Sequence, residues 1–329
     1  MQNTARLRLI PLAMVELKLN STAFLFPGQG SQSVGMGQEL AESYPLARQT
    51  FEQADALLGF SLSRLAWEGP EAELNDTLNT QPALLTHSVA VLRVFEQLQP
   101  GFRPAFVAGH SMGQLSALVA AGALPFEAAL QLARRRGQLM KRAGEVSPGG
   151  MAAVLGADLV TLEQLCAAAS TPDEVVQVAN DNCPGQVVIS GATAALERLI
   201  LLAPQAGVRK IRPLAVSIAA HSPLMAHAQA DFNQAVDSAP MLDPAIALVG
   251  NVSALPLTTA AELRHDLRMQ LSSRVRWTES IQEMSRRGVT TFIELGSGSV
   301  LTGLLKRIDE SLTGLALGAP ADFQKQFLQ

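Results

Sequence analysis

The feature that most constrains this chain is a serine placed between two glycines, in the run Gly109-His110-Ser111-Met112-Gly113. A short apolar stretch, FVA, comes directly before this run, and the alanine-rich stretch LSALVAAG follows it closely. The first stretch is typical of a buried strand and the second of a helix, so the pattern predicts a strand, a sharp turn and a helix. Glycines suit this turn because a side chain at either position would collide where the strand and the helix cross.

The run matches G-x-S-x-G, the nucleophile elbow, in which a strained turn lifts a serine hydroxyl above the end of a strand. The amide of Met112 then points to the space beside the hydroxyl of Ser111, where an oxyanion would form. By itself the motif also occurs as a plain turn between a strand and a helix. Since a strand is predicted before it and a helix after it, we interpret Ser111 as a nucleophile.

Strand-like and helix-like segments alternate through most of the sequence, which is typical of an α/β protein with a mostly parallel sheet. Between residues 147 and 216 the order becomes strand, helix, strand, strand, helix, strand, which is the ferredoxin-like unit. The sequence therefore predicts a larger α/β domain, residues 21–146 and 217–318, with a small subdomain inserted at 147–216. We interpret residues 1–20 and 319–329 as terminal tails.

A serine nucleophile needs a base, which is normally a histidine. The chain has five histidines: His87, His110, His221, His227 and His265. We expect His87, His227 and His265 on the surface or on a helix face, and His110 is held in the turn with its side chain directed away from Ser111. By elimination His221 is the candidate base, because it follows a strand and precedes a Ser-Pro helix start, where active-site groups collect.

No acidic residue is an obvious third member of a catalytic triad. Asp158, Asp173 and Asp181 all fall in the predicted insert. A main-chain carbonyl could orient the imidazole of His221 instead.

Composition narrows the classes of function. With 48% hydrophobic and 16% charged residues the chain is typical of a well-packed globular protein, and its net charge of −4 gives no reason to expect nucleic acid as a partner. No apolar run reaches the roughly 18 residues that span a membrane. Cys166 and Cys183 have the spacing of neither a disulfide framework nor a metal site. We expect a cytoplasmic protein with reduced thiols and no metal, cofactor or membrane anchor.

A set of segments, in one order over about residues 22–318, carries a resemblance to a known family. The segments are FLFPGQGSQSVGMG (24–37), TQPALLTHSVAV (80–91), GHSMGQLSALVAAG (109–122), ARRRGQLM (133–140), GGMAAVLG (149–156), NDNCPGQVVISG (180–191), HSPLM (221–225), QLSSRVRW (270–277) and ELGSGSVLTGLLKRI (294–308). Together they resemble the malonyl-CoA:acyl carrier protein transacylases of fatty acid synthesis, relatives of the acyltransferase domains of polyketide synthases. The ordered set is highly specific, although any one segment would not be.

The resemblance implies a hydrolase-like α/β domain with a ferredoxin-like insert and a ping-pong acyl transfer. Ser111 would attack malonyl-CoA with His221 as general base, and an acyl carrier protein thiol would then take the malonyl group. The main-chain carbonyl of Gln270 would orient His221, which accounts for the absent acid. The backbone amides of Gln29 and Met112 would form the oxyanion hole.

The resemblance also assigns Arg136 to the free carboxylate of the malonyl group, which a guanidinium can hold through two parallel hydrogen bonds. Without the family, Arg136 in the run Arg134-Arg135-Arg136 would be interpreted as a solvated surface cation. Asn180, Asn182 and Ala220 are expected to line the acyl cleft.

Two positions depart from the common family pattern. Ala220 stands where many malonyl-selective members have an aromatic residue or serine, which leaves a wider acyl pocket. Gln114 stands where many members have glutamate, so a local ion pair is expected to be missing.

The expected partners are malonyl-CoA and a phosphopantetheinylated acyl carrier protein, with no nucleic acid and no membrane, and a monomer is expected. The alternatives are a stand-alone polyketide synthase acyltransferase, a malonyl-transfer subunit of malonate decarboxylase, a serine esterase, or a non-catalytic module that binds carrier protein. Arg136 separates the transferase from the esterase, because an esterase for uncharged acyl groups does not need it.

Overall fold

The computed structural model describes residues 19–216 and 218–327. The predicted tail at 1–20 lies almost entirely outside these residues. Within them the chain forms ten strands: β1 Thr22–Phe26, β2 Phe106–Gly109, β3 Gly149–Leu155, β4 Val176–Cys183, β5 Gln186–Ala192, β6 Lys210–Pro213, β7 Leu248–Val249, β8 Pro256–Leu257, β9 Thr291–Leu295 and β10 Thr313–Leu317.

The same residues form fourteen α-helices. They are α1 Gln38–Ser43, α2 Pro45–Leu58, α3 Leu62–Glu68, α4 Glu71–Leu74, α5 Thr77–Leu98, α6 Gly113–Ala120, α7 Phe126–Val146, α8 Leu159–Ala169, α9 Thr193–Leu202, α10 Ala226–Ser238, α11 Ala260–Gln270, α12 Trp277–Arg286, α13 Val300–Ile308 and α14 Pro320–Phe327. None of these helices is long and apolar enough to cross a membrane.

The larger sheet has the strand order β10-β9-β1-β2-β7-β8, and all neighbours are parallel except β7 and β8. Its central strand β1, TAFLF, is buried on both faces. Ala23 and Leu25 pack into one apolar cluster, whereas Phe24 and Phe26 pack into another on the opposite face. Because helices cover both faces, the strand carries a continuous apolar run instead of an alternating one.

The smaller sheet is antiparallel, with the order β4-β5-β3-β6. Helices α8 and α9 supply apolar residues to the core of this sheet. Its first strand in the chain, β3, therefore lies between its third and fourth, as in the ferredoxin-like unit. The predicted fold class, a mostly parallel α/β domain with a ferredoxin-like βαββαβ unit, is confirmed. The exact domain boundaries stay a prediction.

Residues 319–329 were interpreted from the sequence as a terminal tail, but in the structure most of them form a packed helix. Helix α14 covers most of residues 319–329, and Phe323 in it is fully buried with its ring centroid 5.9 Å from that of Tyr44. The apolar residues Phe323 and Phe327 lie four positions apart and so share one helix face. This face packs onto the main core and makes the segment part of the domain.

The two sheets meet through main-chain hydrogen bonds between β4 and the segment before α12. The amide of Val275 donates to the carbonyl of Ala179 at 2.8 Å, and the amide of Asp181 donates to the carbonyl of Val275 at 3.0 Å. This junction places the small sheet beside the carboxyl ends of β1 and β2. A crevice at that edge is where open α/β sheets hold their ligands.

Candidate active site

Ser111 lies in the sharp turn between β2 and α6, as the motif predicts. Its backbone φ of 51° falls in the left-handed region, which costs a serine about 1–2 kcal/mol. A Cβ at Gly109 would lie 2.0 Å from the carbonyl oxygen of Gly113, and one at Gly113 would lie 2.2 Å from the oxygen of Phe26. Both glycines are therefore required by the close approach of the helix to β1 and β2.

The hydroxyl of Ser111 is in direct contact with the imidazole of His221. The Oγ and Nε2 atoms are 2.7 Å apart, although the residues are 110 positions apart in the chain. His221 is 3% exposed and, like Ser111, has a positive φ, of 59°. The structure thus brings together the two residues that were selected from the sequence as candidate nucleophile and candidate base.

Main-chain carbonyls, not a carboxylate, hold the imidazole. The Nδ1 of His221 donates to the oxygen of Gln270 at 2.8 Å, with a second contact of 3.2 Å to the oxygen of Ser273. Since both partners can only accept, Nδ1 carries the proton and Nε2 is free to accept one from Ser111.

The three aspartates considered as a third triad member have other places. Asp158 caps α8 by accepting from the amide of Thr161, Asp181 accepts from the hydroxyl of Thr278, and Asp173 is exposed. None of them contacts His221, so the geometry agrees with orientation by a carbonyl.

Electrostatics keep this histidine neutral. Burial, with a smaller contribution from the positive charge of Arg136, lowers the pKa of His221 to about 3. A neutral imidazole is the form that can take a proton, so the group is in its basic state near pH 7.

Arg136 is buried in the site and is not a surface cation. It is 2% exposed, and its Nη2 lies 3.2 Å from the Oγ of Ser111. Its Nη1 donates to Oε1 of Gln81 and its Nη2 to Oε1 of Gln270, both at 2.9 Å. Burial lowers its pKa to about 10, so the guanidinium stays charged near pH 7.

Arg136 has unused hydrogen-bonding capacity. Its Nε is buried and has no hydrogen-bond partner, and no carboxylate of the described residues forms an ion pair with the guanidinium. A buried cation with a free donor and no counter-ion at a cavity is the arrangement expected where a ligand brings its own negative charge.

The residues predicted for the oxyanion hole, Gln29 and Met112, both line the cavity. Neither of their main-chain amides donates a hydrogen bond to another of the described residues. The side chain of Gln29 is fixed because its Oε1 accepts from the hydroxyl of Thr77 at 2.9 Å. The two amides therefore remain available to a ligand oxygen.

A cavity of about 580 Å³ opens at Ser111, His221 and Arg136. The predicted cleft residues Asn180, Asn182 and Ala220 all line it, and its other walls come from both sheets. The Oδ1 of Asn182 accepts from Nε2 of His110 at 2.8 Å. His110 therefore points toward the small sheet and away from the hydroxyl of Ser111.

The remaining histidines are separated from the site. His227 and His265 are exposed, as expected, whereas His87 is 2% exposed on an inward face of α5. Its Nε2 donates to the carbonyl of Gly318 at 3.0 Å. Of the two positions expected for His87, the surface or a helix face, the structure has the helix face, because helix α5 is covered on nearly all sides.

Four polar residues that hold the site together were not predicted from the sequence. They are Gln81, Gln177, Asn251 and Asp266. Asn251 comes just after β7, separated from it by Gly250, at the same edge of the sheet as Ser111, so its position near a strand end was the available signal. The contacts of the other three with the site are all long-range, as between Gln81 and Arg136, and no local pattern reveals them.

Comparison with known proteins agrees with this geometry. A family model described as acyl transferase domain matches residues 23–316. The malonyl CoA-acyl carrier protein transacylase of Bacillus subtilis is 45% identical over 302 residues, 92% of this chain and 95% of that protein. The Escherichia coli K12 protein of the same name is 43% identical over 299 residues, 91% of this chain and 96% of its own length.

Solved structures show the same relationship. An acyl carrier protein S-malonyltransferase from Vibrio cholerae has a TM-score of 0.89 at 42% identity, covering 92% of this chain and 99% of that one. A malonyl-transacylase solved with its type II polyketide synthase acyl-carrier protein has a TM-score of 0.90 at 39% identity, covering 94% and 99%. With its fold, elbow and buried arginine in place, the chain belongs to the acyl transferase domain family and, within it, to the malonyl CoA-acyl carrier protein transacylases.

Proposed function

We propose that this protein transfers a malonyl group from malonyl-CoA to the phosphopantetheine thiol of an acyl carrier protein, and so supplies fatty acid synthesis. The observation that carries the proposal is the buried guanidinium of Arg136, 3.2 Å from the Ser111 hydroxyl and without a carboxylate partner among the described residues. A malonyl thioester has a reactive carbonyl two bonds from a free carboxylate. One group can therefore meet Ser111 while the other meets Arg136.

In the first half-reaction, the Oγ of Ser111 attacks the thioester carbonyl carbon and Nε2 of His221 takes the hydroxyl proton. The carbonyl oxygen becomes an oxyanion, which the amides of Gln29 and Met112 would stabilise. When the carbon–sulfur bond breaks, His221 returns the proton to the CoA sulfur. The product is a malonyl ester on Ser111.

The second half-reaction runs through the same groups. The carrier protein thiol gives its proton to His221 and attacks the ester carbonyl, and Ser111 leaves with that proton. The alternation needs a base that is neutral in the resting enzyme, and the lowered pKa of His221, about 3, supports this. Gln270 supports it too, because its carbonyl keeps the proton on Nδ1 throughout.

Arg136 supports a transferase for dicarboxylic acyl groups over an esterase. A hydrogen bond to a charged group contributes about 1.5–3 kcal/mol, and the carboxylate would also neutralise a buried cation. An uncharged acetyl group offers neither. Ala220, Asn180 and Asn182 complete the proposed acyl cleft on its small-sheet side.

The carrier protein would approach along β6, the exposed edge strand of the small sheet. Arg209, Lys210 and Arg212 are exposed there, and the chain continues from them into Leu214 and Val216 at the cavity wall. A basic edge beside the cavity mouth suits an acidic carrier.

The proposal also includes the division into a large domain and a 147–216 insert. It includes a cytoplasmic location as well, with which the free, buried Cys166 and Cys183 agree.

The test compares acyl-enzyme formation from malonyl-CoA and acetyl-CoA by rapid-quench mass measurement of the intact protein. Arg136→Ala should lower the rate with malonyl-CoA by about 10–100-fold, the equivalent of one or two charged hydrogen bonds, and change the acetyl rate little. Ser111→Ala should abolish the covalent adduct. Equal losses for both substrates in Arg136→Ala would refute the role of the arginine.

A further inference from the structure

One buried carboxylate near the site has no role in the steps above. Asp266, on α11, is 3% exposed and forms no ion pair with any of the described residues. Its oxygens accept from the amides of Asn251 at 2.9 Å, Val252 at 3.1 Å and Ser253 at 3.1 Å, and from Nε2 of Gln114 at 2.9 Å. Three of these donors belong to the main chain, and the fourth leads toward Arg136.

Hydrogen bonds connect Asp266 to Arg136 through two side-chain amides. Gln114 donates its Nε2 to Asp266 and accepts at Oε1 from Nε2 of Gln270. Gln270 in turn accepts at Oε1 from Nη2 of Arg136 at 2.9 Å. Asp266, Gln114, Gln270 and Arg136, which we call the relay, are all at most 3% exposed.

The two ends of the relay fix the direction of its amides. A carboxylate can only accept hydrogen bonds and a guanidinium can only donate them, so each amide between them has one satisfied orientation. Gln270 is held further because its Nε2 also donates to the carbonyl of Ser111 at 3.0 Å. The amide oxygen that faces Arg136 is therefore set by a carboxylate two residues away in the relay.

Local structure explains how the relay assembles. Asp266 and Gln270 lie four positions apart on α11, so their side chains share one helix face. Gln114 in the first turn of α6 bridges them from the opposite side. Gln114 stands where many family members have glutamate, so it brings no negative charge of its own. It forms hydrogen bonds with Gln270 and Asp266, and the negative charge of the relay lies on Asp266.

We propose that Asp266 is a positioning residue for Arg136. Acting through Gln114 and Gln270, its carboxylate holds the guanidinium in the orientation that receives a carboxylate, and so sets the preference for malonyl over uncharged acyl groups. Contact through two amides compensates the buried charge and leaves Nε without a protein partner among the described residues. The inference rests on the proposed function, in which Arg136 binds the substrate carboxylate.

The test measures the ratio of acylation rates with malonyl-CoA and acetyl-CoA in two variants. Asp266→Asn places an NH₂ group against other donors in either amide orientation. Gln114→Met breaks the relay but leaves Asp266 its main-chain bonds. Each should lower the malonyl-to-acetyl ratio by about tenfold, equivalent to about 1.4 kcal/mol. Because both act on one relay, the double variant should lose no more selectivity than either single one.

Glu294→Gln is the matched control. Glu294 is fully buried and accepts from the amides of Leu301 at 3.1 Å and Thr302 at 2.8 Å, but it lies outside the relay. This variant should lower Tm and leave the ratio unchanged. If Asp266→Asn does not fold, Gln114→Met decides the question.

The outcomes separate the two proposals. A ratio within threefold of the wild-type value in Gln114→Met, or additive losses in the double variant, overturns the relay. If Arg136→Ala still loses selectivity in that case, the proposed function is kept and only the relay is rejected. If Arg136→Ala itself leaves the ratio unchanged, the role proposed for Arg136 in substrate binding fails first.

Discussion

Replacement of Asn251 by alanine tests whether the strained turn at Ser111 is held from outside. Asn251 is 1% exposed and reaches both sides of the turn. Its Oδ1 accepts from the amide of Ser111 at 2.8 Å, and its Nδ2 donates to the carbonyl of Gly109 at 2.7 Å. Alanine removes both hydrogen bonds and leaves the buried carbonyl of Gly109 and the partly buried amide of Ser111 without these partners. The turn would then relax toward an unstrained conformation.

The expected loss follows from these contacts. A buried polar group left unsatisfied costs about 1–3 kcal/mol, so two such groups would lower the free energy of unfolding by at most about 2–6 kcal/mol. Catalysis should suffer separately, since a displacement of about 1 Å at a reacting atom can lower a rate by about a hundredfold. We therefore expect Asn251→Ala to be less stable and, where it is folded, to acylate about a hundredfold more slowly.

The assay keeps these two effects apart. Thermal unfolding gives Tm, and the acylation rate with malonyl-CoA is then measured well below the Tm of the variant. Asn233→Ala is the control, because the side-chain amide of Asn233 on α10 bonds Gln229 at 2.7 Å and no other described residue, away from Ser111. If folded Asn251→Ala acylates within threefold of the wild-type rate, the turn keeps its geometry unaided and the reasoning is wrong.

Two further predictions concern glycine and histidine. The Cβ of Gly113→Ala would lie 2.2 Å from the oxygen of Phe26, so this variant should have a lower Tm and no acylation activity. The control is Gly303→Ala on helix α13, whose Cβ would have nothing within 4 Å and which should stabilise the protein by about 0.5–1 kcal/mol. An active Gly113→Ala would contradict the steric argument. Burial lowers the pKa of His87 from 6.5 to about 4. Between these two pH values the unfolded chain therefore binds more protons than the folded one. The folded protein is then most stable above pH 6.5 and loses stability as the pH falls toward 4. His87→Gln, which can still donate to the carbonyl of Gly318, should show a smaller fall in Tm between pH 7 and 4.5 than the wild type, and an unchanged fall would count against the assignment.

The sequence was most informative where the backbone itself is constrained. The glycines around Ser111 and the loop position of His221 follow from local sterics and strand order, so the candidate nucleophile and base could be selected without a structure. The βαββαβ order likewise depends only on local periodicity.

Arg136 shows where such reasoning was incomplete. Its charge suggested a surface position, yet Leu132, Ala133, Gly137 and Met140 at helical spacing are buried on the same face of α7. The helical periodicity of α7 predicts an inward position for residue 136, whereas the positive charge of its side chain favours the surface. The family resemblance, not the run of arginines, identified it.

Gln81, Gln177 and Asp266 could not be assigned to the site from the sequence because the site residues that they bond come from distant segments, as Arg136 does for Gln81. The bond between Gln114 and Asp266 joins residues 152 positions apart, and that between Gln177 and His221 joins residues 44 apart. A polar residue in an amphipathic helix has the same local pattern whether it faces water or a buried amide. Only the packing of α6 against α11, and of one sheet against the other, distinguishes these cases.

The small sheet contributes more to the site than one wall of the cavity. Both proposed reacting residues have a positive φ, 51° at Ser111 and 59° at His221, and a carboxamide from another element holds the main chain of each. Asn251 holds the serine, while Gln177 on β4 donates to the carbonyls of His221 at 2.7 Å and Ser272 at 3.1 Å. Ser272 lies between the two carbonyls that accept from the imidazole, so Gln177 fixes the base and its acceptors to the same strand. The distance between nucleophile and base therefore depends on how the two sheets dock, which explains why the site lies at their junction.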